Sequence, residues 1–235
     1  MKLDRFARHG RPLASLAVGA ALIGAALLSG CASSPTSRFY TLGAGDDAAR
    51  QIPQVQATPA YLIEVPAVDV PAQVARNQLV VHDDATRVSV LEQERWASPP
   101  ADELRRALSG DLSARLGTFD VFGSPHPENV PVYRITVNVR RFESWLGARA
   151  VLDTVWSVRS LLTQAVVTCS TVQTVTVGPG FDALVAGHRR AVGELADAIA
   201  GTVRTMASGA GAPTLAPDQC TVGSPSKAVK GRAPS

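Results

Sequence analysis

Tyr133-Arg134-Ile135-Thr136-Val137-Asn138-Val139-Arg140 decides the fold class. Tyr133, Ile135, Val137 and Val139 alternate with polar or charged neighbours, the period of two that marks a half-buried β-strand. Two more runs follow at once. Arg149–Arg159 and Ala165–Val177 are rich in β-branched residues along both faces, which predicts long strands. A turn is expected within Ser160–Gln164. Three long strands in sequence predict antiparallel neighbours.

Helical patterns lie on either side of this block. Upstream, Ser98 is a natural N-cap and Pro99 suits the first helical position. Asp102 and Glu103 then lie near the positive end of the helix. Leu104, Leu108, Leu112 and Leu116 repeat at four-residue spacing up to Gly117, an amphipathic helix whose stripe should lie on a sheet. Downstream, Gly178-Pro179-Gly180 breaks the last strand. Leu184, His188, Val192, Leu195, Ile199 and Val203 then mark a second helix ending near Met206.

Between Tyr61 and the first helix, Tyr61–Val65 reads as a strand. Gln78–His82 and Arg87–Leu91 read as a hairpin closed by Asp83-Asp84-Ala85-Thr86. Phe119–Phe122 reads as a short strand, and Arg38–Leu42 as an edge strand. The expected fold is α+β: two layers, a mostly antiparallel sheet with two amphipathic helices on one face.

The N-terminus has a different character. Lys2, Arg5, Arg8 and Arg11 precede an apolar run from Leu13 to Leu28, and small residues lead to Cys31. These are the parts of a secretory signal. Leu28-Ser29-Gly30-Cys31 has the pattern of a bacterial lipoprotein signal, in which cleavage falls between Gly30 and Cys31 and the cysteine thiol takes a diacylglycerol. A membrane-spanning helix needs about 20 apolar residues, and this run is slightly shorter. Ala32, rather than an aspartate, follows the cysteine. In Gram-negative bacteria that resembles the signal for export to the outer membrane. The expected organisation is residues 1–30 signal peptide, 31–60 lipidated cysteine and flexible tether, 61–206 folded domain and 207–235 disordered tail.

The 235 residues carry 23 basic and 20 acidic side chains. Residues 1–30 hold four of the basic and one of the acidic, so the chain from Cys31 onward has 19 of each. That balance gives no reason to expect a nucleic-acid partner. Cys169 and Cys220 can pair in an oxidising compartment. The alternative is one buried and one exposed thiol, with Cys220 in a loose tail. His9, His82, His126 and His188 have no metal-ligand spacing. His82-Asp83-Asp84 fits a turn better than a cation site. Nucleophile-elbow, phosphate-loop and zinc-protease motifs are missing, so no catalytic residue, metal or cofactor is expected beyond the covalent lipid on Cys31. Trp96 should pack under the first helix and Trp156 in the core. Trp145, with Phe142 and Leu146 at a strand junction, is the candidate contact for a partner or lipid.

A series of short motifs resembles the ABC-type transport auxiliary lipoproteins of MCE-linked, PqiC-like systems. It runs from Cys31 through Arg38-Phe39-Tyr40-Thr41-Leu42, Val65–Pro71 and Arg76-Asn77-Gln78-Leu79-Val80. It is strongest at Arg95-Trp96-Ala97-Ser98-Pro99 and closes with Phe181-Asp182. Pro100 departs from the usual apolar residue. The resemblance implies a docking subunit at the outer membrane, without an ATPase site. Its implied partner is an MCE-domain periplasmic protein of a lipid transporter that maintains envelope integrity, and self-association is expected. A lipid-binding carrier and an envelope hydrolase are the alternative readings.

Overall fold

The computed structural model describes residues 36–43, 59–209 and 219–223. Among the described residues, eight strands and two helices make an α+β body. The long strands are β5 (Val132–Trp145), β6 (Arg149–Ser160) and β7 (Val166–Thr176). They are antiparallel neighbours, as their spacing predicts. β2 (Leu62–Glu64) pairs parallel with the start of β5, and β8 (Cys220–Gly223) pairs antiparallel with β7. The five run in the order β2-β5-β6-β7-β8.

The remaining strands form a second sheet, which the single-sheet expectation did not contain. β3 (Gln78–His82) and β4 (Val88–Trp96) are the expected hairpin. β1 (Arg38–Tyr40) pairs parallel with the far edge of β4. Alternation tells which face of a strand is buried, but not which strand lies beside it. The run Phe119–Phe122 is not a strand; it makes one bridge, Asp120 to Ile63, and exposes both phenylalanines.

Helix α1 (Pro100–Leu116) begins one residue later than expected. Pro100 forces Pro99 out of the helical region, and Pro99 sits at ψ 140°. Its carbonyl accepts the amides of Asp102 and Glu103. Ser98 does not cap; its hydroxyl turns to the Glu103 carboxylate. Gly117 ends α1 in the left-handed conformation, at φ 62°. Helix α2 (Phe181–Ala207) buries its whole predicted stripe. Gly187 lets α2 approach the sheet closely. A Cβ there would lie 2.2 Å from Val177 Cγ1.

A bulge in β5 controls which residues face the helices. Pairing with β6 shifts between Val139 and Arg141. Before it, Ile135, Val137 and Val139 point into the core; after it, Phe142 and Ser144 do. One extra residue in a strand reverses the alternation beyond it. Arg140 and Arg141 therefore share the outer face, where both bind Asp153. On the core face, Trp156, Leu152 and Val158 of β6 and Val167 and Cys169 of β7 complete the apolar layer.

The expected disordered tail contains β8, whose Cys220 stands opposite Cys169 and is bonded to it. The cysteines are separated by 51 residues, a loop whose closure stabilises the fold by about 4 kcal/mol on the chain-entropy relation. Cys220→Ser, or reduction, should lower the melting temperature by about 10 °C. Circular dichroism melts with and without dithiothreitol check this. An unchanged melt would show that the bond holds nothing beyond β8.

Candidate functional site

The span expected to be a flexible tether includes a segment docked on the body. Side chains of β4, α1 and α2 bind residues 37–42 to it, and on β4 Gln93 also accepts the Ser37 hydroxyl at 2.8 Å. Glu94 of β4, nearly buried, takes the Arg38 guanidinium and the Tyr40 hydroxyl, the latter at 2.6 Å. Burial, then the hydrogen bond to Glu94, pushes the Tyr40 phenol up to about 12. On α1, the Glu103 carboxylate accepts the Thr41 hydroxyl at 2.7 Å, the Leu42 amide at 2.8 Å and Arg106 at 2.6 Å, besides Ser98. Burial raises the Glu103 carboxyl, but these donors outweigh it and leave it below the ordinary value. Arg189 of α2 donates to the Thr41 carbonyl at 2.8 and 3.1 Å. Leu42 ends the segment inside the core.

Residues 95–99, where the sequence resemblance is strongest, support this seat. Trp96 closes β4 opposite Tyr40, and the Ala97 amide donates to the Tyr40 carbonyl at 2.7 Å. Ser98 reaches Glu103, and Pro99 opens α1. Arg95 pairs with Glu92 on the surface.

Trp96 also enters a buried cluster. It lies 5.8 Å from Phe142 and 6.1 Å from His188, ring centre to ring centre. His188 is 1% exposed; its Nε2 is 2.8 Å from Ser144 Oγ, and its Nδ1 has no partner. Burial pushes this imidazole down to about 3, so it is neutral at ordinary pH. No carboxylate orients it toward Ser144.

The three proposed contact residues separate. Phe142 is 4% exposed and belongs to the core, so it cannot reach a partner. Trp145 is half-buried in a stack, with His82 4.4 Å away and the Arg149 guanidinium carbon 4.3 Å from its ring centre. Leu146 alone stands out, 44% exposed. His82 serves this stack, while Asp84 holds the Thr86 and Arg87 amides at 2.9 Å. These bonds, the Thr86 amide foremost, hold the Asp84 carboxyl down to about 2, as a turn residue. Among the described residues no group of three His, Cys, Asp or Glu side chains could hold a metal. Cys31 and the cleavage point at Gly30 lie outside the described residues.

Among the described residues, the space between helices and sheet is small. The cavity bounded by Leu104, Leu108, Val137, Leu152 and Val192 holds about 10 Å³, whereas ligand pockets run to several hundred. A shallow open depression of about 330 Å³ lies at the other end, between Tyr61, Tyr133 and Arg204.

The class is thus an α+β body with β1 docked on its edge and Leu42 inserted in the core. The chain belongs to the family of ABC-type transport auxiliary lipoprotein components, whose model matches residues 40–200. No curated protein matches it. Its fold is similar to that of two solved structures. One is the crystal structure of an uncharacterized protein, at 20% identity and TM-score 0.55, covering 70% of this chain and 97% of that one. Another is protein XCC0632 from Xanthomonas campestris, at 15% identity and TM-score 0.51, covering 67% and 92%.

Two outcomes test the site. Glu103→Ala removes an acceptor of charge-assisted bonds and should cost about 3 kcal/mol. Amide exchange at Tyr40 and Leu42 should accelerate far more than at β6; equal acceleration would show that the seat and body open together. His188 gives a pH dependence. Its folded pKa lies below the unfolded 6.5, so its contribution is full above pH 6.5 and is lost as pH falls toward 3. From pH 7 to pH 5 the loss should be on the order of 2 kcal/mol. Denaturant titrations of His188→Leu should lack that portion of the slope; an identical slope would assign it elsewhere.

Proposed function

We propose that this chain is a lipoprotein anchored through Cys31 to the periplasmic face of the outer membrane. There it serves as a docking subunit of an ABC-type, MCE-linked lipid transport system that supports envelope integrity. Family membership over residues 40–200 carries the reading. Signal peptidase removes residues 1–30, and acyl chains on Cys31 supply the membrane affinity. Stable anchoring takes two chains or two signals, which a diacylglyceryl cysteine provides. The body contributes surfaces for an MCE-domain periplasmic protein and for further copies of itself, and no turnover.

A carrier that encloses lipid is the weaker reading, because about 10 Å³ between α1, α2 and the sheet admits no acyl chain. A hydrolase is weaker still. Among the described residues, the buried serine–histidine pair Ser144 and His188 has an unpartnered Nδ1 and no route to solvent.

Cys31→Ser should move the chain from the membrane fraction to the soluble fraction and reduce lipid transport between the membranes. A variant that remains membrane-bound and fully active would refute the anchor. Affinity capture of the lipidated chain should recover an MCE-domain protein; recovery of unrelated proteins only would refute the docking role.

A further inference from the structure

We propose that one end of the body, the end carrying Phe39 and Leu146, rests on the bilayer. This builds on the reading of Cys31 as the lipidated residue. Cys31 is seven residues from Arg38, where β1 starts. A fully extended chain covers at most about 3.6 Å per residue, so seven steps reach about 25 Å. Glu94, Glu103 and Arg189 hold the next residues to the body, so no slack is gained beyond Arg38.

The surface around β1 suits a lipid interface. Phe39 is 64% exposed and stands opposite Arg95 on the outer face of the three-stranded sheet. The β5–β6 turn lies at the same end. Gly147 abuts Pro179, with 3.9 Å from its Cβ position to the Pro179 Cα. Two residues on from Pro179, Phe181 meets Tyr40 at 6.5 Å. Leu146 in that turn gives a second exposed apolar side chain beside the anchor. Leu162 is 75% exposed in the β6–β7 turn, but it is separated from Leu146 by the length of β6. Twelve residues of strand span about 40 Å, beyond the reach of the seven-residue link. The two ends therefore differ in role: Phe39 and Leu146 meet headgroups, and the Leu162 end points into the periplasm.

The test uses the full lipidated chain in phosphatidylethanolamine/phosphatidylglycerol vesicles containing brominated phosphatidylcholine, a short-range quencher. Phe39→Trp and Leu146→Trp should each add fluorescence that is lost on reconstitution, while the fluorescence added by Leu162→Trp should persist. All three sites are exposed, and unchanged melting temperatures would confirm folding. If the chain floats with the vesicles but tryptophans 39 and 146 are not quenched, the contact is wrong and the anchor stands. Quenching at 162 instead would reverse the orientation. If the chain does not float, the lipid anchor fails and takes this inference with it.

Discussion

A buried carboxylate on α1 holds the N-terminal segment to the body. Glu103 is removed from water yet negatively charged, a state that is costly unless donors surround it. Ser98, Thr41, Leu42 and Arg106 supply them from the β4–α1 connection, the segment after β1 and α1 itself. Removing any one partner leaves desolvated charge, so the arrangement favours a single docked state for β1. Because β1 is docked, β4 has neighbours on both edges, and Trp96 can close the cluster over Phe142 and His188.

Much of the body is legible in the chain because burial imposes periodicity. The leucines of α1 and the stripe from Leu184 to Val203 in α2 follow the helical period, and both lie inward. The β6 and β7 boundaries match their expected runs within a residue, whereas β5 begins one residue before its alternating run and continues five residues past Arg140. Phe142 shows where periodicity fails. Continuing the alternation of Tyr133–Val139 places it outside, beside Leu146. The bulge before Arg141 turns it inward and leaves Trp145 on the other side. A single Arg-Arg pair in an otherwise regular strand carries no distinct mark of a bulge.

The terminal segments differ from the expected tether and tail for another reason. Composition reports how much apolar surface a segment offers, not which donors and acceptors await it. Arg38–Leu42 reads as an edge strand from Phe39, Tyr40 and Leu42, and it is one, but nothing in the stretch tells that Arg38, Tyr40, Thr41 and the Leu42 amide meet partners on β4, α1 and α2. Likewise β8 has only Cys220 and Val222 to suggest a strand. Its place comes from the ladder with β7 and the bond to Cys169. Pro100 had a subtler effect: it moved the helix start by a residue and released Ser98 from capping to serve Glu103.

The seat changes what an anchor at Cys31 can do mechanically. A tether running to residue 60 would reach about 100 Å, and the body could roam far from the membrane in any orientation. A link of seven residues restricts both distance and direction. With 19 basic and 19 acidic residues from Cys31 onward, net attraction to anionic lipid adds little, so on the proposed anchor orientation comes from where the link enters and from local burial at that end. Parallel helices carry the constraint along the body, since α1 and α2 both begin near β1 and end near Tyr61. With Cys31 as the anchor, as proposed, a partner arriving from the periplasm meets the ends of the helices and the β6–β7 turn first. For a docking subunit, a fixed presentation of one end lowers the orientational cost of assembly that a free body would pay at each encounter.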